Sequence, residues 1–227
     1  MERASFTWKD GTWIEGNEPI LGPMSHAWWM ASSVFDGARS IGRLAPDLDR
    51  HCERIIESGK AFGMTTPLTS DEILALAWEG IEKFPDDAVL YIRPMMYFED
   101  GFVAPDVEST QFILTVFEAP MPAWDGVKAI ISSYRRPTPE AAPTHAKASC
   151  LYPNVARAMM EARKEGFGTA VVLDAMGNVA EFATNNLFTV RGGVVQTPAA
   201  NGSFLAGLTR RRIIELLIGD GYKVAEL

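Results

Sequence analysis

Cysteine is nearly missing from this chain of 227 residues: Cys52 and Cys150 stand far apart and outside any C-x-x-C spacing. That argues against a disulfide-stapled scaffold; two buried thiols are expected instead, in keeping with a reducing, cytoplasmic compartment. Histidine is also sparse. His26, His51 and His145 form no i,i+4 pair and sit near no carboxylate set of zinc-enzyme spacing, so no metal site is expected. Positive charge is in deficit, with 21 Lys and Arg against 29 Asp and Glu, which argues against a nucleic-acid partner. No run of about 18 apolar residues is present, and the start "MERASFTWKDGTW" is polar where a signal peptide is apolar. No membrane association is therefore expected. A glycine-rich loop between strand and helix is absent as well, leaving a nucleotide-binding fold without its phosphate cradle. There is no internal repeat.

What is present has the composition of an ordinary globular protein, long enough for one large domain or two small ones. "FTWKDGTWIE" alternates around Asp10-Gly11, a hairpin signal. Leu48, Cys52, Ile55, Ile56, Gly59 and Phe62 recur at helical spacing over 47–64, and "TSDE" opens a second helix at Thr69 with a capping box. "AVLYIRPMMYF" and "TQFILTVFE" read as strands. "EAPMPAW" then breaks the pattern with two prolines and reads as a linker. Beyond it come a strand "VKAIISS", a helix "PNVARAMMEARKEG" closing on Gly166, and strands "TAVVLDA" and "NLFTV". A helix "LTRRRIIELLIGDG" and a strand "YKVAEL" follow. The expected fold class is α+β in two domains: a small one over 1–118, a linker over 119–124, and a larger one over 125–227.

"PTHAKASCLYPN" places one lysine, Lys147, among small residues after a proline-punctuated loop. Most lysines are solvated surface charges. A lysine confined among neighbours such as Ala146, Ala148 and Ser149 is instead in a setting where an ammonium can give up its proton and act as a nucleophile. Glu181 follows 34 positions later, at the start of a strand-like run. A carboxylate able to reach a bound pyridine nitrogen would keep that nitrogen protonated, as pyridoxal phosphate needs when it serves as an electron sink.

Six blocks carry a resemblance: "SSVFDGAR", "LDRHCERI", "YIRP", "PTHAKASCLY", "EFATNNLF" and "LAGLTRRRII". In this order, and with this lysine-to-glutamate spacing, the chain resembles a class IV aminotransferase, the fold-type IV pyridoxal-phosphate enzymes, and is most similar to branched-chain amino acid aminotransferases. The resemblance implies a D-amino-acid-aminotransferase-like two-domain fold and pyridoxal 5′-phosphate as cofactor. Lys147 falls on the lysine that bonds to the cofactor and then moves the proton between Cα and C4′. Glu181 falls on the partner of the ring nitrogen. Tyr152 matches a tyrosine that hydrogen-bonds the phenolic oxygen; otherwise it is a half-buried helix tyrosine.

For the phosphate, the resemblance implies Arg54, whose planar fork suits that group and which otherwise lies on a solvated helix face. It also implies Leu208 and Thr209 at the start of the last helix, a natural anion site; Thr209 would otherwise be taken for an N-cap. Arg93 lies inside an apolar strand, so a carboxylate must meet it, from the protein or from a substrate. The resemblance favours the substrate, with Tyr91 on the same strand face. Phe35 resembles a wall of the substrate pocket and is equally readable as core. Met30, after two tryptophans, takes the place of a pocket tyrosine, a change that alters substrate preference without touching the cofactor.

The expected reaction moves an amino group between an L-branched-chain or similar apolar amino acid and 2-oxoglutarate, with a homodimer as the expected assembly. Alternatives are a D-amino-acid or (R)-amine transaminase, an aminodeoxychorismate-lyase-like enzyme, and a non-catalytic remnant. Family members continue past the place of Leu227, so the second domain is expected to be incomplete.

Overall fold

The computed structural model describes residues 3–123 and 125–227. Trp124, the last residue of the expected linker, lies outside them. The described chain forms two compact units: residues 1–122 with 146–150, and residues 123–145 with 151–227. The chain thus leaves the first unit near Pro122 and returns to it for five residues around Lys147. No sequence feature marks that return.

The first unit opens with β1 (Ser5–Lys9) and β2 (Thr12–Glu15). Asp10 and Gly11 both take positive φ, 49° and 81°, as a two-residue hairpin turn requires. Then come α1 (His26–Met30), β3 (Ser33–Phe35), β4 (Ala38–Ile41), α2 (Leu48–Lys60), α3 (Ser70–Glu82), β5 (Val89–Phe98) and β6 (Thr110–Glu118). The predicted capping box is formed: Thr69 accepts from the Glu72 amide, and Glu72 accepts from the Thr69 amide. α1, β3 and β4 fall in a stretch where the sequence shows no clear periodicity.

The strands form a sheet in the order β2-β1-β6-β5-β3, with β4 also on β5. β3 and β4 lie end to end along one edge of β5: Phe35 opposes Met95, and Ala38 opposes Ile92. Asp36 and Gly37 occupy the break between them. Directly opposed residues of an antiparallel pair share a face. Leu90, Ile92 and Met96 therefore share one face with Leu114 and Val116, and all five are buried. α2 and α3 cover this face closely. A Cβ on Gly59 would come within 2.9 Å of Met96, and one on Gly80 within 2.6 Å of Val116. The opposite face carries Tyr91, Arg93, Phe117, Thr115, Arg39 and Phe35, half-buried apart from the buried Thr115.

The second unit runs through β7 (Ala129–Arg135), α4 (Tyr152–Lys164), β8 (Thr169–Leu173), β9 (Val179–Phe182), β10 (Thr189–Arg191), β11 (Val194–Thr197), α5 (Leu208–Gly219) and β12 (Lys223–Glu226). β7 and β8 are parallel, and α4 is the helix between them in the chain. Ala158 and Ala162 of α4 pack with Ala170, Val172 and Ala183. Small residues on both sides let the helix lie close to the sheet. The predicted strand "NLFTV" shrinks to its last residues, because Leu187 and Phe188 precede the first pairing of β10 with β11 at Thr189. No described helix is long and apolar enough to cross a membrane.

Candidate active site

Lys147 owes its position to its backbone. Residues 146–150 run along the free edge of β3, with Val34 and Ala148 forming an antiparallel bridge. The Phe35 amide donates to the Lys147 carbonyl at 3.0 Å, and the Lys147 amide donates to Ser58 Oγ on α2 at 3.1 Å. Ser33 Oγ donates to Ser149 Oγ at 2.8 Å. Ala146 and Ala148, on either side, are buried. Fixed through the main chain, the side chain is left to the half-buried surface, where its ammonium lies 4.8 Å from the centre of the Phe35 ring. Phe35 is on the sheet face that also carries Tyr91 and Arg93, so the lysine tip belongs to that face.

One turn before Ser58 on α2 stands Arg54, and one turn before that His51. Ser58 takes the Lys147 amide, while His51 and Arg54 reach into the β3–β4 break. Asp36, fully buried there, accepts from Arg54 Nε at 2.7 Å and Nη2 at 2.8 Å, from His51 Nδ1 at 2.7 Å, and from the Gly37 amide at 2.6 Å. Burial alone would raise this carboxyl's pKa. The hydrogen bonds and charges of Arg54 and His51 outweigh it and bring the value down to about 2. The same burial, together with the Asp36 charge, pushes the Cys52 thiol up to about 12, leaving it inert. Arg54 is thus not on a solvated helix face. Gly37 is required here, since a Cβ would fall 1.8 Å from the Tyr91 hydroxyl.

Arg93 meets no carboxylate among the described residues. Its guanidinium lies 5.3 Å from the Phe117 ring centre, and its buried Nε has no hydrogen-bond partner. Desolvation lowers its pKa, since burial disfavours the cation. Arg39 faces Tyr91 across the β4–β5 pair, its guanidinium carbon 5.6 Å from the ring centre. Two cations thus stand on one half-buried face, a setting that favours an anionic ligand. Met30 ends α1 and is exposed, beside the exposed Trp28 and Trp29.

In the second unit Glu181 lies on β9 opposite Val172 and is buried. Its Oε2 accepts from Asn186 Nδ2 at 3.1 Å, and Arg136 Nε lies 3.4 Å from Oε1. Asn186 also donates to the Leu205 carbonyl, and a Cβ on Gly207 would strike its Oδ1 at 2.1 Å. The glutamate is therefore tied to the loop that leads into α5. The N-cap of α5 is Gly207 rather than Thr209, and no side chain caps it. The first amides of this helix thus remain as donors, with Leu208 buried and Thr209 exposed at its second position. Tyr152 is half-buried at the first position of α4, between a 3-10 turn and Pro153.

Lys147, Arg54, Phe35, Tyr91, Arg93 and Met30 thus lie in the first unit, and Glu181, Tyr152, Leu208 and Thr209 in the second. Sequence reasoning missed Asp36, Ser58, Arg136 and Asn186. Asp36 and Asn186 sat inside the quoted blocks. Ser58 was legible only as a third polar residue at helical spacing from His51 and Arg54.

The amino-transferase class IV family profile matches residues 33–226. The branched-chain-amino-acid aminotransferase of Escherichia coli K12 is 32% identical, the match covering 99% of this chain and 76% of that protein. A crystal structure of that E. coli enzyme superposes with a TM-score of 0.91, covering 98% of this chain. An aminotransferase from Brucella abortus, crystallised with pyridoxal phosphate, is 48% identical with a TM-score of 0.96, covering 99% of this chain and 81% of that one. With the profile spanning most of its length and relatives this similar, the chain belongs to the class IV aminotransferases.

Proposed function

We propose that this class IV aminotransferase transfers the amino group of an apolar L-amino acid, branched-chain substrates first, to 2-oxoglutarate. The enzyme is pyridoxal-phosphate-dependent, and its residues suit that cofactor: a lysine on a pinned backbone, an arginine with unused donors, an uncapped helix start and a buried carboxylate. When bound, pyridoxal phosphate supplies the electron sink that makes the substrate Cα proton removable.

In this reading Lys147 would hold the cofactor covalently and, once free of it, would carry the proton between the substrate Cα and C4′. Its backbone stays held by Phe35 and Ser58, so only the flexible side chain needs to move. Glu181 holds the ring nitrogen protonated, and Asn186 and Arg136 fix its carboxylate. Arg54 and the first amides of α5, at Leu208 and Thr209, hold the phosphate, and Tyr152 the phenolic oxygen. Arg93 and Tyr91 receive a substrate carboxylate, while Phe35 and Met30 shape the apolar side.

The observation that carries the reading is the shared sheet face: the Lys147 ammonium over Phe35, on the same face as Tyr91 and an Arg93 that no carboxylate among the described residues neutralises. A second copy of the chain is the proposed cover for the exposed apolar surface where the Trp29 and Phe102 rings lie 5.6 Å apart. Sedimentation of the wild type and of Phe102→Asp tests that homodimer.

The activity is tested by absorbance with pyridoxal phosphate, for wild type and Lys147→Ala, followed by half-reactions with L-leucine, D-alanine and an (R)-amine. A lysine-bound cofactor absorbance that Lys147→Ala abolishes, and that L-leucine bleaches, is expected. Rapid bleaching by D-alanine or the (R)-amine with none by L-leucine overturns the substrate assignment. An unchanged spectrum in Lys147→Ala overturns the role of the lysine.

A further inference from the structure

Asp36 is a buried carboxylate with no part in the reaction described above, and burying such a charge is costly unless it is fully paired. The pairing here is lopsided. Its partners are His51 Nδ1, the Gly37 amide and the Nε–Nη2 edge of Arg54, which meets both carboxylate oxygens side-on. A guanidinium is planar, so holding one edge fixes the direction of the other. Arg54 Nη1 has no protein partner among the described residues, and it is not among the buried polar atoms left without one. It is therefore a donor held in place and open to a ligand.

Without Asp36, the long side chain of Arg54 would sample several rotamers and lose that freedom on binding. The backbone around Asp36 reinforces the arrangement. Its amide donates to the Pro94 carbonyl at 2.9 Å, and Gly37 beside it is packed under the Tyr91 hydroxyl. The carboxylate is fully buried and has no open space to turn into.

We infer that Asp36 is a positioning residue that presents the free edge of Arg54 to the phosphate of the cofactor. The inference rests on the reading that Arg54 binds that phosphate. His51 serves as the second clamp on Asp36, on the side away from the Arg54 Nε.

The test compares two probes on the full chain, pyridoxal 5′-phosphate and pyridoxal, which differ only in the phosphate. The dissociation constant of each is measured by absorbance, and their ratio isolates the phosphate contribution. Arg54→Gln should reduce the preference for the phosphorylated probe at least about tenfold, as expected for a lost charge-assisted bond. Asp36→Asn should reduce the same preference by about tenfold. The double variant should fall no further than Arg54→Gln alone, because one residue acts through the other.

If Asp36→Asn weakens both probes equally, or neither, while Arg54→Gln destroys the preference, Asp36 is merely structural and the inference fails. If Arg54→Gln leaves the preference intact, the reading of Arg54 fails first and the inference with it. Should Asp36→Asn not fold, Arg54→Lys decides. It keeps the charge beside Asp36 but has no planar edge to orient, so the preference should drop nearly as far as in Arg54→Gln. A wild-type preference in Arg54→Lys overturns the inference.

Discussion

The two units hold their functional groups by different means. In the first, Arg54 and Lys147 are fixed by one helix lying against a sheet edge: Asp36 pairs with Arg54 and His51, and Ser58 takes the Lys147 amide. In the second, Glu181 is held by the Asn186 amide, itself tied to the loop into α5, with Arg136 3.4 Å away, and the helix start beyond that loop is left uncapped. A buried ion pair is strong when complete and expensive when one partner is lost. An amide-held carboxylate and a row of backbone donors are less sensitive to any single side chain. The first unit should therefore fail abruptly and respond to acid, whereas the second should fail by degrees.

The widest gap expected is in activity. Lys147→Ala should lower kcat by at least about 10²–10⁴-fold, the range for a lost acid–base group, with far-ultraviolet circular dichroism unchanged. Asn186→Ala in the second unit should cost only about tenfold, because Glu181 keeps Arg136 nearby and loses one neutral hydrogen bond. An Asn186→Ala variant as dead as Lys147→Ala would erase the contrast.

Acid sharpens it next. Asp36 has a folded pKa of about 2 against an ordinary 3.8. A depressed carboxyl contributes stability that is present above its unfolded value and lost as pH falls through the folded one. Wild type should thus lose about 2 kcal/mol from this group between roughly pH 4 and pH 2, measured by denaturant unfolding. Asp36→Asn should be less stable at neutral pH and lack that component.

A similar loss should follow overpacking. Gly37→Ala places a methyl group against Tyr91 and Gly207→Ala places one against Asn186. Each should lower stability by about 1–3 kcal/mol. Gly207→Ala should in addition weaken cofactor binding, as it displaces the residue that links Glu181 to α5. Calorimetry with and without pyridoxal phosphate separates the two effects.

The smallest effect belongs to a site outside both arrangements. Thr69→Ala removes the capping box of α3 and should cost about 1 kcal/mol with kcat unaltered. A large fall in kcat there would mean that α3 takes part in the site.

The amino-acid sequence alone determined what local physics can write. The Asp10-Gly11 turn, the capped start of α3, the periodic faces of α2 and α4 and the apolar strands β5 and β6 each arise from residues a few positions apart. The lysine among small neighbours and the glutamate after it were legible for the same reason, as ordered words in one line of text.

Tertiary structure decided what depends on residues brought together from afar. It put five residues around Lys147 on the edge of β3, and it gave Arg54 to Asp36, 18 positions away. It left Arg93 without a carboxylate among the described residues and made Gly207, with no capping side chain, the start of α5. Hydrogen-bond partners and desolvation depend on distance in space, and spacing along a chain encodes that only within a turn of helix or a pair of neighbouring strands.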